Sequence, residues 1–219
     1  MTSSALEIRN LSIQKSQQHL IDGFSLKIPA GEIFTLMGAS GSGKSTILNW
    51  IIGALDPAFL ARGELWLGGT RRDQWPIEAR RIGILFQDDL LFPHLSVGQN
   101  LAFALPSHIQ GKSARREAIE RTLSDFGLVG FYDRDPATLS GGQKARISTL
   151  RALLAEPQAL LLDEPFSKLD AVMREQFRGF VFDRIGQLGI PVLLVTHDPA
   201  DIPQGGDFVE ISEWRGNHA

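Results

Sequence analysis

A chain of 219 residues with a net charge of −3 is long enough for one substantial core and lacks the basic excess that binds nucleic acid in bulk. It has no cysteine, which excludes disulfides and thiolate metal sites. No apolar run approaches the ~20 residues that span a bilayer, and Met1 to Ala5 form no basic or apolar leader, so a soluble chain without a signal peptide is expected.

In chain order, residues 6 to 37 read as β-rich. Leu6, Ile8, Leu11 and Ile13 mark one extended segment, and Phe24, Leu26 and Ile28 alternate in a second, the period of a half-buried strand. A turn at Pro29-Ala30-Gly31-Glu32 leads to an apolar run, Ile33 to Met37. The next residues are Gly38-Ala39-Ser40-Gly41-Ser42-Gly43-Lys44-Ser45-Thr46, which match G-x-x-x-x-G-K-[ST], the phosphate-cradling P-loop. Leu48, Ile51, Ile52 and Leu55 then follow at helical spacing. The glycines therefore sit at a strand-to-helix turn, where bare N–H groups and the helix N-terminus favour an anion. Lys44 is placed to reach β- and γ-phosphates, and the Ser45 hydroxyl to ligate Mg²⁺.

Gly63 to Leu67 is a further short strand, ended by Gly68-Gly69, and Ile82 to Phe86 is an apolar run ending in Gln87. These pieces predict a small antiparallel sheet beside a parallel one. Asp88 to Asn100 reads as loop. Its Leu91, Phe92, Leu95 and Val97 either pack helices or line a groove for a segment of a partner protein. Ala114 to Phe126 is an amphipathic helix stopped by Gly127, with Arg115, Arg116, Glu117, Glu120 and Arg121 on a solvated face. Residues 142 to 155 form another helix, with Ile147, Leu150 and Leu154 inward. Strand, helix and strand then alternate: Ala159 to Asp163, a helix carrying Met173 to Leu188, Val192 to Thr196, and a last strand at Phe208 to Ile211. That alternation argues for a parallel sheet covered on both faces.

Leu160-Leu161-Leu162-Asp163-Glu164 delivers two carboxylates to the C-terminal end of a buried strand, where open α/β sheets bind ligands. Asp163 suits Mg²⁺ and Glu164 suits a general base. Leu139-Ser140-Gly141-Gly142-Gln143 precedes a helix. It reads either as a plain N-cap or as a second anion site.

Taken together, Gly38 to Thr46, Gln87, Leu139 to Gln143, Leu162 to Glu164, Ser167 to Asp170 and His197 resemble the ATP-binding cassette family, in family order. Glu164-Pro165-Phe166-Ser167 also resembles the ATPase subunits of bacterial binding-protein-dependent importers. The resemblance implies an α/β fold: a RecA-like P-loop NTPase core (1–87 and 151–219) with a small antiparallel β-subdomain and an inserted α-helical subdomain (88–150). It implies ATP and Mg²⁺, with Ser45, Gln87 and Asp163 at the metal and Glu164, His197 and Gln87 as catalytic residues. It further implies that two copies dimerise head to tail, each ATP lying between residues 38–46 of one copy and Ser140, Gly141, Gly142 and Gln143 of the other. Asp170 would lie at that interface; by itself it reads as an N-cap. The implied partners are a second ATPase subunit, integral membrane permease subunits and a solute-binding protein, at the cytoplasmic face of a bacterial inner membrane. A soluble cassette protein acting on nucleic acid or ribosomes is the alternative, disfavoured by the missing basic face and the single cassette.

Three segments depart from the family pattern. Members usually carry an aromatic residue near the end of the first strand, stacked on adenine. The matching stretch here, Ile13-Gln14-Lys15-Ser16, has none, and Lys15 falls closest. Lys168 stands where a small residue is common, and Pro199 and Pro203 interrupt the helix usually found after His197.

Overall fold

The computed structural model describes residues 5–214, so the residues before Ala5 lie outside it. The chain forms two compact units. One comprises the residues up to Ile84, Gln158–Glu164 and those from Phe182 on; the other comprises Leu85–Pro157 and Pro165–Val181.

The first unit holds two sheets. Strands β1 (Leu6–Lys15), β2 (Gln18–Ile28), β4 (Phe59–Leu67) and β5 (Thr70–Arg71) pair antiparallel in the order β2-β1-β4-β5. Leu6, Ile8, Leu11 and Ile13 are fully buried or nearly so, while Arg9, Asn10 and Lys15 face solvent. The alternation shifts phase at a bulge between Ile8 and Leu11. The second sheet has the order β6-β7-β8-β3-β9, from β3 (Ile33–Met37), β6 (Ile82–Leu85), β7 (Ala159–Asp163), β8 (Val192–Thr196) and β9 (Phe208–Glu210). Its β7/β8, β3/β8 and β3/β9 pairs are parallel. All five residues of β8 are buried, and four of five in β7, as a sheet covered on both faces requires. Parallel strands all end on the same edge. Met37, Asp163 and Thr196 thus bring the P-loop, the two carboxylates and His197 to one line.

Helix α1 (Lys44–Ile52) follows the P-loop and ends earlier than the apolar spacing predicts, because Gly53 turns left-handed and donates to Asn49 and Trp50 oxygens. Arg80, at the end of the short helix α2 (Ile77–Arg80), fixes that terminus. Its Nη1 donates to the oxygens of Trp50 and Ile51 at 2.7 and 2.8 Å. Burial pushes its pKa down, yet it stays a cation at a helix C-terminus, where a cation is favoured. Arg72 Nη1 in turn donates to Arg80 O at 2.8 Å. Strand β4 begins at Phe59 rather than Gly63, four residues before the predicted start.

The second unit packs helices α3 (Val97–Ala102), α4 (Lys112–Asp125), α5 (Gly141–Leu154) and the first half of α6 (Ala171–Leu188). Its core joins Val97, Leu101, Ile119, Leu123, Ile147 and Leu150. The unit runs past the predicted 88–150 span because Phe180 of α6 sits edge-on to Phe126 with centroids 4.8 Å apart. Helix α3 lies within the segment that reads as loop. A capping box starts it: Ser96 Oγ accepts from Gln99 N, and Gln99 reaches back to Ser96 N. Fully buried Asn100 accepts from Phe92 N and donates to the oxygens of Phe92, Leu95 and Ser96, which fixes the preceding loop. Arg115 does not sit on a solvated face. It donates to Ile109 and Ala102 oxygens, the second at the end of α3. After β8 only a 3₁₀ turn forms, Pro199–Asp201, as the two prolines dictate.

Candidate functional site

The P-loop joins β3 to α1. Gly38 has φ 154, and a Cβ there would come within 2.5 Å of Ile211 Cγ2, so no other residue fits without displacing Ile211. Ser40 and Gly41 are exposed at the crown of the loop, while Ser42 Oγ is buried and has no hydrogen-bond partner. A buried hydroxyl without a partner is a donor awaiting an acceptor. Lys44 is 4% exposed, and its ammonium donates to Gly38 O at 2.6 Å and Ala39 O at 2.9 Å. The loop thus curls around its own lysine.

Glu164 lies beside that lysine. Its Oε1 is 3.8 Å from Lys44 Nζ, and its Oε2 is 3.2 Å from His197 Nδ1. The Glu164 backbone has φ 45, a left-handed conformation that costs a glutamate about 1 kcal/mol. The bond from Glu164 N to Val195 O, 2.9 Å, holds it there. Without that turn the side chain would continue the alternation of β7 instead of facing Lys44 and His197. His197 is held by its own strand end. Thr196 Oγ1 donates to the buried Asp201 carboxylate at 2.7 Å and accepts from Asp198 N at 3.1 Å, which folds the chain tightly just after His197.

Ser45 Oγ lies 3.4 Å from Asp163 Oδ1. Burial pushes the Asp163 carboxyl above its ordinary range; the Ser45 hydroxyl works against the rise and neighbouring Glu164 adds to it. A half-buried carboxylate and a hydroxyl are hard oxygen donors, the kind that Mg²⁺ takes. Among the described residues no cluster of three or more His, Cys, Asp or Glu could hold a metal alone. The pair therefore fits an ion that a nucleotide's phosphates help to hold, not an all-protein cage.

The other predicted residues fall in the helical unit. Gln87 Nε2 donates to Ser167 Oγ at 3.2 Å, and Lys168 pairs with Asp88, so the segments around Gln87 and Ser167 are tied twice. Neither tie is readable from sequence; each joins residues 80 apart. Ser140 caps α5 in a second capping box, accepting from Gln143 N while Gln143 Oε1 accepts from Ser140 N. Gly141 is exposed and Gly142 buried, the latter packed so tightly on the Met173 methyl that a Cβ would collide with it. Met173 N also donates to Asp170 Oδ1, which makes Asp170 the cap that its sequence position allows.

A phosphate loop after the first parallel strand, β3, with two carboxylates at the end of β7, one strand removed from it in the same sheet, makes this a P-loop nucleoside triphosphatase. Comparison with known proteins narrows that class. A family model described as ABC transporter matches residues 21–167. The uncharacterized ABC transporter ATP-binding protein YnjD of Escherichia coli K12 is 49% identical over 211 residues, which cover 96% of this chain and 97% of the relative. The putrescine transport ATP-binding protein PotG of the same strain is 40% identical over 220 residues, and there this chain spans 57% of the relative's length. The thiamine import ATP-binding protein ThiQ of Haemophilus influenzae is 38% identical over 190 residues, 87% of each chain. The chain belongs to the ABC transporter family, as an ATP-binding subunit and ATPase that energises transport. These relatives carry transport names, so nothing supports the nucleic-acid alternative. None of the described helices is long and apolar enough to cross a membrane.

Proposed function

We propose that the chain binds and hydrolyses ATP with Mg²⁺ to drive solute uptake through separate permease subunits at the cytoplasmic face of a bacterial inner membrane. In this reading a solute-binding protein completes the system. The observation that carries it is the convergence of Lys44, Glu164 and His197 within 4 Å contacts at the end of the parallel sheet. The loop amides of 38–46 cradle the phosphates, and Ser45 and Asp163 hold the metal, which neutralises phosphate charge when bound. Glu164 takes a proton from the attacking water, whose oxygen bonds to the γ-phosphorus as the bond to the bridging oxygen breaks and ADP departs. Lys44, released from the Gly38 and Ala39 oxygens, follows the charge onto the γ-phosphate. His197 orients Glu164 and contacts the same phosphate. Gln87 reports its presence, and Ser140, Gly141, Gly142 and Gln143 grip the ATP of a second copy, making the nucleotide part of a dimer interface. The import direction draws on the thiamine import relative.

The test joins two readouts. The chain, purified with its membrane partners in mild detergent, releases phosphate from ATP and co-purifies with an integral membrane protein. Lys44→Ala abolishes the first and leaves the second. Co-purification with ribosomes or DNA instead would overturn the proposal.

A further inference from the structure

Lys168, which stands where a small residue is common, has a partner in the structure. Its ammonium pairs with the Asp88 carboxylate, and the adjacent Ser167 Oγ accepts from Gln87 Nε2 at 3.2 Å. Both ties join the same two segments, residues 87–88 after β6 and residues 167–168 after β7. Strands β6 and β7 are neighbours in their sheet. The segment after β6 is also held by α5. The buried Ser148 hydroxyl donates to Asp89 O, and Arg151 donates to Asp89 O at 3.2 Å and to Leu90 O at 2.8 Å. Those bonds hold Leu90 at φ 45, a left-handed conformation that leucine rarely takes.

The two sides of this junction differ in strength. The α5 bonds grip backbone oxygens with groups that are partly or wholly out of water. The Lys168 and Asp88 side chains are 55% and 67% exposed, so water and salt weaken their attraction. The segment 87–90 therefore goes with α5, and the ion pair decides how firmly 167–168 stays against it. The serine bond also sets which way round the Gln87 amide stands. An amide has two donors on nitrogen and an acceptor oxygen. Gln87 is exposed, so packing does not choose between the two orientations. With Nε2 committed to Ser167, Oε1 is the atom left over, and Mg²⁺ takes oxygen.

We propose that Ser167 and Lys168 are positioning residues for Gln87. Ser167 orients the amide so that its oxygen is the atom available to Mg²⁺, and the Lys168–Asp88 pair keeps Ser167 within reach of Gln87. Hydrolysis by this chain then depends on an ion pair that a small residue at position 168 could not make. The inference rests on Gln87 serving the metal, as the family resemblance implies.

Two readouts on the full chain test it, the first without nucleotide or metal. Hydrogen exchange at the amides of residues 167–169 should rise up to ~5-fold in Lys168→Ala, the limit that an exposed pair sets, while α5 is unaffected. The charge-swapped chain, Asp88→Lys with Lys168→Asp, should return to the unaltered pattern. The second readout is hydrolysis with the membrane partners present. Asp88→Ala, Lys168→Ala and Ser167→Ala should each lower kcat ~3- to 5-fold, leave the KM for ATP unchanged and raise the Mg²⁺ concentration needed for half the maximal rate. The charge swap and Ser167→Thr should restore the rate, and the double alanine variant at 88 and 168 should be no slower than either single one. A charge swap as slow as the single variants overturns the role of the pair. Ser167→Ala at the unaltered rate overturns the orienting role, and altered exchange with unaltered rates overturns both. If Gln87→Ala is slow while these variants are not, only this inference fails. If Gln87→Ala hydrolyses ATP at the unaltered rate, the metal role of Gln87 fails and the positioning roles fall with it.

Discussion

Glu164→Gln separates chemistry from folding. The substitution keeps shape and hydrogen-bonding reach and removes one charge. At the 3.8 Å separation from Lys44 the lost attraction is about 4 kcal/mol at an effective dielectric of 20. Much of that is offset by the cost of holding both ions away from water, and Lys44 keeps its bonds to the Gly38 and Ala39 oxygens. The fold should therefore lose only about 1 kcal/mol. The catalytic loss is larger. Removing a general base costs about 10² to 10⁴ in rate, or roughly 3 to 5 kcal/mol on the barrier. Phosphate release at saturating ATP should fall by that factor, while ATP affinity and the urea midpoint change little. Hydrolysis at the unaltered rate would refute the role of Glu164. A rate loss accompanied by a matching loss of ATP affinity would show that Glu164 serves only to position Lys44.

Gly142→Ala should destabilise the helical unit by about 1 to 3 kcal/mol, because the new methyl meets Met173, and Met173→Ala in the same chain should restore most of the loss in a urea titration. A second prediction concerns pH. Burial would raise the Asp73 carboxyl, but hydrogen bonds from Arg71, Gln74 and Leu65 N hold it at about 2. Its folded value lies below its unfolded value of about 3.9, so the contribution is present at neutral pH and fades as pH falls from about 4 toward 2. Asp73→Asn should cost about 2 kcal/mol at pH 7, with a gap to the unaltered protein that narrows near pH 3 in urea unfolding.

Features fixed by spacing along the chain were legible in the sequence. The P-loop, the runs Ile33–Met37, Ala159–Asp163 and Val192–Thr196, and the Asp163-Glu164 pair all carry their pattern in consecutive residues. What escaped depends on distant partners or on short signals. Helix α3 spans six residues, and its Ser96/Gln99 box sits in a stretch whose proline and polar residues read as loop. Arg72 and Arg80 are charged in sequence but buried among carbonyl oxygens, a role that hydropathy cannot reveal. Phe59 alternates with Ala61 in a strand whose other residues include Arg62, which hid the early start of β4. The left-handed turn at Glu164 has no sequence signature, since glutamate is not a residue that favours positive φ.

In the proposed mechanism one copy offers two half-pockets for the same triphosphate, closed only by a second copy. Ser40 and Ser140 are both exposed, one in each proposed half-pocket. Chains carrying Ser40→Cys and chains carrying Ser140→Cys, each also with Glu164→Gln, would be mixed and oxidised with and without ATP. A disulfide-linked mixed dimer should form with ATP and not without it. Equal yields in the two conditions, or no mixed dimer in ATP, would contradict it.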